Sequence, residues 1–124
     1  MLIWGEMEKK NVVLEKSMEF ALEIIEYAET LEEKRKYVVA NQLLKSGTSI
    51  GANIREAQSA ESRQDFIHKI KIAAKEAQET EYWLMLCNRS ENYPSNSSLP
   101  KKLDEIQRLI SSIISTAKKG GVMC

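Results

Sequence analysis

The stretch QLLKSGTSIGANIREA, Gln42 to Ala57, decides how this chain folds. Glycine, serine, threonine and asparagine interrupt an otherwise helix-forming composition, so it admits three readings: a phosphate-cradling loop, a turn, or a special helix face. A phosphate loop of the Walker type needs a buried strand before it, a Gly-Lys-Ser/Thr ending and a helix opening on the phosphates. Here Lys45 precedes the first glycine instead of following the last. The apolar period, in contrast, does not stop: Leu43, Gly47, Ile50, Ile54 and Ala57 fall at spacings of four, three, four and three, the repeat of one helix face. The stretch therefore predicts a continuous helix. Two interior glycines cost such a helix about 2 kcal/mol relative to alanine. Gly47 and Gly51, four residues apart, offset that cost if they form a smooth strip on which another helix packs closely.

A polar stripe runs beside the apolar one: Ser46, Ser49, Asn53 and Glu56 stand at spacings of three, four and three, and Glu76, Glu79 and Trp83 repeat comparable offsets further on. Buried polar groups must be paired, so these residues predict hydrogen bonds between the second and third helices, such as Asn53 or Ser49 to Glu76. With Gly47 and Gly51 they are the candidate packing and assembly residues.

Outward from this stretch the chain is scarce in Gly and Pro and rich in Ala, Leu, Ile, Glu and Lys, which makes it all-α. The first predicted helix, about 9–31, places Leu14, Met18, Ala21, Ile25 and Ala28 inward, flanked by Phe20, Ile24 and Tyr27, with Glu15, Glu19, Glu23 and Glu26 on other faces. The second spans about 35–59. The third, about 63–87, opens on Ser62 with Asp65 three residues later, a capping-box pattern, and carries Phe66, Ile70, Ala73, Ala77 and Leu84 at helical spacing. Residues 88–100, NRSENYPSNSSLP, have turn composition. The fourth helix, about 100–118, has Pro at its start and Leu103, Ile106, Ile110, Ile113 and Ala117 inward, and "KKGG" ends it. Four such helices with short links pack as an antiparallel up-down four-helix bundle over 9–119, between flexible ends at 1–8 and 120–124.

The 124 residues suit one domain with one modest core. Eighteen basic residues balance eighteen acidic ones, so the overall charge argues for neither a polyanionic partner nor a membrane. Two cysteines, Cys87 in an apolar helical setting and Cys124 at the end, favour a reducing compartment over a disulfide framework. "MLIWGEM" lacks a basic leader and is too short for a signal peptide, and no apolar run approaches the ~20 residues of a membrane span. A cytoplasmic protein is expected.

QLLKSGTSIGANIREAQSAESRQDFIHKIKIAAKEAQETEYWLMLC, residues 42–87, resembles the signature of the bacterial four-helix-bundle proteins that include those encoded by intervening sequences within 23S rRNA genes. The likeness extends over most of the chain, from "EKSMEFALEII" onward. The matching positions are Ser46, Gly47, Ser49, Gly51, Asn53, Glu56, Ser62, Asp65, Phe66, Lys69, Glu76, Glu79, Tyr82 and Trp83. The resemblance implies an antiparallel four-helix bundle assembled as a ring-like homopentamer, with no established enzymatic activity. It also implies a likeness to the accessory protein of diversity-generating retroelements, which partners a reverse transcriptase and nucleic acid. Two departures stand out: Lys45 occupies a position where many relatives carry Arg, and the balanced charge is less basic than that of the retroelement proteins.

Three classes of function follow. An RNA- or DNA-binding oligomer would use the local basic density of Lys34, Arg35, Lys36, Lys45, Arg55, Arg63, Lys69, Lys71 and Lys75, repeated around the ring; the bland alternative is that these are solvated helix faces. A protein-interaction scaffold would leave those charges incidental. An enzyme or metal site is disfavoured by ligand arithmetic: Asp65 and the sole histidine, His68, give one Asp-x-x-His pair, where di-iron bundles need two Glu-x-x-His motifs and two more carboxylates. A serine nucleophile at Ser46 or Ser49 would have only His68 as its base. No catalytic residue, metal or cofactor is expected.

Overall fold

The structure, a computed structural model, describes residues 4–120. Among these residues four helices follow in order, α1 Trp4–Glu33, α2 Tyr37–Ala57, α3 Arg63–Arg89 and α4 Ser98–Lys119, and there is no strand. α1 packs on α2, α2 on α3, α3 on α4, and α4 returns to α1. Links this short make sequential neighbours antiparallel, so the bundle runs up, down, up, down around one core. The stretch 1–8, expected to be flexible, is already helical from Trp4. Residues 1–3 and 121–124, Cys124 among them, lie outside the described residues.

The apolar stripes of α2, α3 and α4 lie inward as their spacing predicts. Leu43, Gly47, Ile50, Ile54 and Ala57 are buried on α2, Ile70, Ala73, Ala77 and Leu84 on α3, and Leu103, Ile106, Ile110, Ile113 and Ala117 on α4; Phe66 is half-buried. α1 differs from expectation. Its buried face is Val13, Ser17, Phe20, Ile24, Tyr27, Ala28 and Leu31, while Met18 is 47% and Ile25 39% exposed. α1 carries apolar residues around most of its circumference, and Phe20 and Ile24 take the core while Met18 and Ile25 stay outside.

The α1–α2 contact explains that choice. A Cβ on Gly47 would lie 2.9 Å from Ile24 Cγ1, and one on Gly51 would lie 3.2 Å from Ser17 Oγ. The glycine strip is thus filled by α1. Ser17, only 2% exposed, satisfies its hydroxyl within its own helix by donating to the Leu14 carbonyl at 3.0 Å, so burial leaves no orphan group.

Local chemistry sets the ends. Arg35 has φ 62°, and Lys36 N–H donates to Leu31 O at 2.8 Å while Arg35 N–H donates to Glu32 O at 2.9 Å. This pair of bonds is a Schellman stop built on a left-handed residue, so α2 starts at Tyr37 and not at residue 35. The Ser62 hydroxyl accepts the Asp65 N–H at 3.0 Å and so caps α3, while the return bond of a capping box is shifted by one residue, Asp65 Oδ2 accepting the N–H of Glu61 at 3.4 Å and not that of Ser62. α4 starts two residues ahead of Pro100, because Asn96 Oδ1 accepts the Leu99 N–H at 2.8 Å. Asn88 clamps the loop by exchanging hydrogen bonds with the backbone of Asn96, and the Tyr27 hydroxyl donates to the Pro94 carbonyl. Across the α1–α4 seam, Lys102 Nζ meets Glu23 Oε1 at 2.6 Å and Lys16 Nζ meets Glu105 Oε2 at 2.9 Å. Burial pushes the Glu23 carboxyl up, but hydrogen bonds from Lys102 and Ser98 outweigh it and hold the group below its ordinary value.

Gly47→Ala should therefore destabilise the bundle although alanine is the better helix former. Overpacking costs about 1–3 kcal/mol, against the ~1 kcal/mol that alanine gains in a helix. Urea denaturation should show a loss for Gly47→Ala, and Gly47→Ala combined with Ile24→Ala should cost less than the sum of the two single substitutions, because alanine removes the Cγ1 and Cγ2 atoms that the new methyl meets. A stabilised Gly47→Ala would mean that α1 does not press on α2 at this point.

Candidate functional site

The residues that bear on function fall into three groups, beginning with the polar ones around the glycine strip. Ser46, 1% exposed, faces Thr80, 0% exposed, with their hydroxyl oxygens 2.9 Å apart. Thr80 is also hydrogen-bonded to the Glu76 carbonyl at 2.8 Å. With one proton to give and a carbonyl that can only accept, Thr80 donates to Glu76 O and accepts the Ser46 hydroxyl. The polar tie between α2 and α3 therefore exists, but through other atoms than expected. Ser49 Oγ donates to the Lys45 carbonyl at 2.6 Å and Asn53 Nδ2 to the Ser49 carbonyl at 2.8 Å, so both turn back on their own helix instead of reaching Glu76. Serine and asparagine do this readily because a short side chain reaches the carbonyl one turn back. Sequence reasoning missed Thr80, although it occupies the inward series Ile70, Ala73, Ala77, Thr80, Leu84, where a lone hydroxyl signals a buried partner.

Glu56 pairs with Lys69 Nζ at 3.3 Å across α2 and α3. Glu79 Oε2 accepts the Trp83 indole N–H at 3.1 Å, and Trp83 meets Tyr82 edge-on, their ring centroids 5.5 Å apart. Glu76 is half-buried; burial and the nearby Glu79 charge push its carboxyl above the ordinary value, and Lys45 only partly opposes them.

The basic residues do not converge on one spot. Lys34 and Arg35 are exposed at the α1–α2 turn, and Lys36 there lies over the Tyr93 ring, 4.9 Å from its centroid. Arg63 is at the opposite end, separated from them by the length of α2, roughly 30 Å at helical rise; its guanidinium donates to the Ala117 carbonyl at 2.9 Å, capping α4. Lys69 is taken by Glu56. That leaves Lys34, Arg35, Lys45, Arg55, Lys71 and Lys75 exposed and in no ion pair within the chain among the described residues.

The third group was not expected. On α1, Met18, Leu22 and Ile25 are exposed, Leu22 to 56%, and Met18 lines a groove shared with α2. Leu14, Met18 and Ala21 on one side and Thr48, Ala52 and Arg55 on the other enclose about 200 Å³, with Gly51 at the floor. The groove between α3 and α4, beside Met85 and Pro100, is also about 200 Å³. Both are smaller than the roughly 300–1,000 Å³ of small-molecule pockets.

The sequence profile of the 23S rRNA-intervening sequence protein family matches residues 9–112, which take in nearly all of the bundle. The chain belongs to this family. A crystal structure of a protein of unknown function from the S23 ribosomal protein family of Bacteroides thetaiotaomicron is 50% identical over 86% of this chain and 98% of that one, with a TM-score of 0.81. Among curated proteins, none matches. The glycine strip and the Ser46–Thr80 pair both fall inside the family match.

Neither the family description nor the crystal structure's description names an enzymatic activity. Among the described residues no group of three His, Cys, Asp or Glu side chains is placed to hold a metal, and no helix is long and apolar enough to cross a membrane. The Ser46 hydroxyl is occupied by Thr80, Asp65 caps α3, and His68 is exposed. Cys87 is a buried free thiol whose ionisation burial pushes up, the opposite of what a nucleophile needs.

Two outcomes follow. Thr80→Val should cost about 1–3 kcal/mol by stranding the Ser46 hydroxyl, and Ser46→Ala combined with Thr80→Val should cost less than the sum of the singles, as a double-mutant denaturation cycle would measure. Glu76→Gln should stabilise the fold at neutral pH, because a carboxyl whose folded value is raised loses stability as pH climbs through that value. The gain should vanish below the ordinary 4.5, where the group is protonated folded or unfolded; thermal melts of both proteins across pH 3–8 would check the sign.

Proposed function

We propose that this family member is a non-enzymatic, homo-oligomeric bundle, assembled as a ring that the family resemblance puts at five copies, and that the ring meets RNA or DNA through its repeated basic residues. The observation that carries the assembly is the exposed apolar run Met18, Leu22 and Ile25 on α1. Contiguous apolar surface of this kind marks an interaction site. Trp4–Glu33 carries nine Glu against three Lys, so the outward face of α1 repels a polyanion and suits a protein partner. The exposed Lys34, Arg35, Lys45, Arg55, Lys71 and Lys75 on the other elements supply the polyanion contacts. One copy offers few of them, but a ring multiplies them, and affinity for a phosphate backbone grows with the number of contacts.

The acidity of α1 also supports a second reading, in which the ring docks a protein and the basic residues stay solvated. Salt separates the two. Binding of a structured RNA, followed by fluorescence anisotropy, should weaken steeply between 50 and 200 mM salt, by about a factor of ten or more for a few phosphate contacts. Arg35→Gly with Lys71→Gln and Lys75→Gln should shallow that salt slope, and Arg35→Gly also suits the left-handed backbone at that residue. No affinity at 50 mM salt would remove nucleic acid from the account and leave the scaffold.

A further inference from the structure

We infer that the nucleic acid this bundle takes is single-stranded, and that it runs along the outward line of α3 with a base stacked on Tyr82 and phosphates on Lys71, Lys75 and Arg89. This rests on the nucleic-acid reading above and names the class of strand and the surface that holds it. Lys71, Lys75, Tyr82 and Arg89 follow one another at spacings of four, seven and seven. At about 100° per residue that keeps them within about 40° of one another around the helix. All four are exposed, and the three cations are in no ion pair within the chain among the described residues. The line is about 27 Å long at helical rise, enough for several nucleotides at the ~3.4 Å rise of one stacked strand.

Tyr82 gives this line its character. Its ring is 56% exposed and meets Trp83 edge-on, while Trp83 is itself held by the Glu79 carboxylate. Two of the other tyrosines serve the fold: Tyr27 is buried and donates to the Pro94 carbonyl, and Tyr93 lies beneath Lys36. The remaining one, Tyr37, is 59% exposed and extends the track. Ser46 and Thr80 face each other across α2 and α3, and Tyr37 lies nine residues before the first as Arg89 lies nine after the second. In antiparallel helices that puts Tyr37 level with Arg89, next to Lys34 and Arg35 on the turn before it. Both exposed tyrosines thus stand among cations, the arrangement of a stacking platform for unpaired bases.

The neighbouring acids explain why stacking, and not charge alone, selects the ligand. Glu79 is exposed beside the line with its carboxylate on the Trp83 indole, Glu76 lies half-buried on the same flank, and Glu81 shares the α4 groove with Arg89. Glu32 and Glu33 belong with Glu26 and Glu29 to the acidic side of α1. Phosphate attraction diluted in this way holds any one strand weakly. A duplex keeps its base faces stacked on each other and offers Tyr82 little, whereas a single strand offers the face of every base. One stacked base is worth about tenfold in affinity.

The test measures fluorescence anisotropy of labelled oligo-U, oligo-dU and a duplex of equal length at about 50 mM salt, with wild type, Tyr82→Leu, Tyr82→Phe and Arg89→Gln, each shown to be native by its thermal melt. The single strands should bind at least about tenfold more tightly than the duplex. Tyr82→Leu should lose about tenfold on the strands and nothing on the duplex, and Tyr82→Phe, which keeps the ring, should bind as wild type does. Arg89→Gln should shallow the salt slope on the strands by about 0.7, the loss of one phosphate contact. Tighter binding of oligo-U than of oligo-dU would support RNA as the source of the strand, and the reverse DNA. A duplex bound as tightly as the strands, or Tyr82→Leu binding them at wild-type strength, would overturn the inference and leave the nucleic-acid reading standing. No binding of any probe would remove that reading as well. Tyr82→Gln replaces Tyr82→Leu should the latter unfold, with the same loss expected.

Discussion

The approach of α1 to α2 over Gly47 and Gly51 is the constraint on which the rest depends. With a side chain absent at these two positions, Ile24 and Ser17 occupy the space where Cβ atoms would be. That contact fixes both the depth and the rotation of α1. Once Ile24 and Ser17 point at α2, Phe20, Tyr27 and Leu31 fall into the core, and Met18, Leu22 and Ile25 are left outside. The outward apolar face that supports assembly is therefore a direct consequence of where the glycines sit.

The same strip explains why a motif so rich in polar residues does structural work. Its hydroxyls and amide are used one by one: Ser46 ties α2 to Thr80, while Thr48, Ser49 and Asn53 bond to carbonyls of their own helix. Among the described residues no buried side-chain nitrogen or oxygen is left without a partner. Polar groups that are all engaged rigidify a bundle and define its register. They offer little to a substrate.

Much of this was legible in the residues. The period through Leu43, Gly47, Ile50, Ile54 and Ala57 identified a continuous helix, and the inward faces of α2 and α4 followed from spacing alone, as did the Ser62–Asp65 cap. α1 was misread because it offers two apolar stripes, Leu14–Met18–Ala21–Ile25 and Phe20–Ile24–Leu31; only the tertiary contact with the glycines chooses between them. The end of α1 was hidden because Arg35 adopts the left-handed conformation usually given to glycine. Asn53 and Ser49 were assigned to Glu76 on helical offset, but offset cannot say whether a short side chain reaches across or folds back. As for the basic cluster, proximity along the sequence joined Lys34 to Lys36 but could not reveal that Arg63 caps the far end of the bundle.

Residue-resolved hydrogen exchange tests the central claim most directly, that the stretch from Ser46 to Asn53 is unbroken helix held against α1. The amides of Gly47 and Gly51 should exchange only as fast as the core amides of Ile50 and Ile54, through global unfolding. Exchange at those two glycines many times faster than at their neighbours would mean an open loop in place of a packed strip, and would contradict the account.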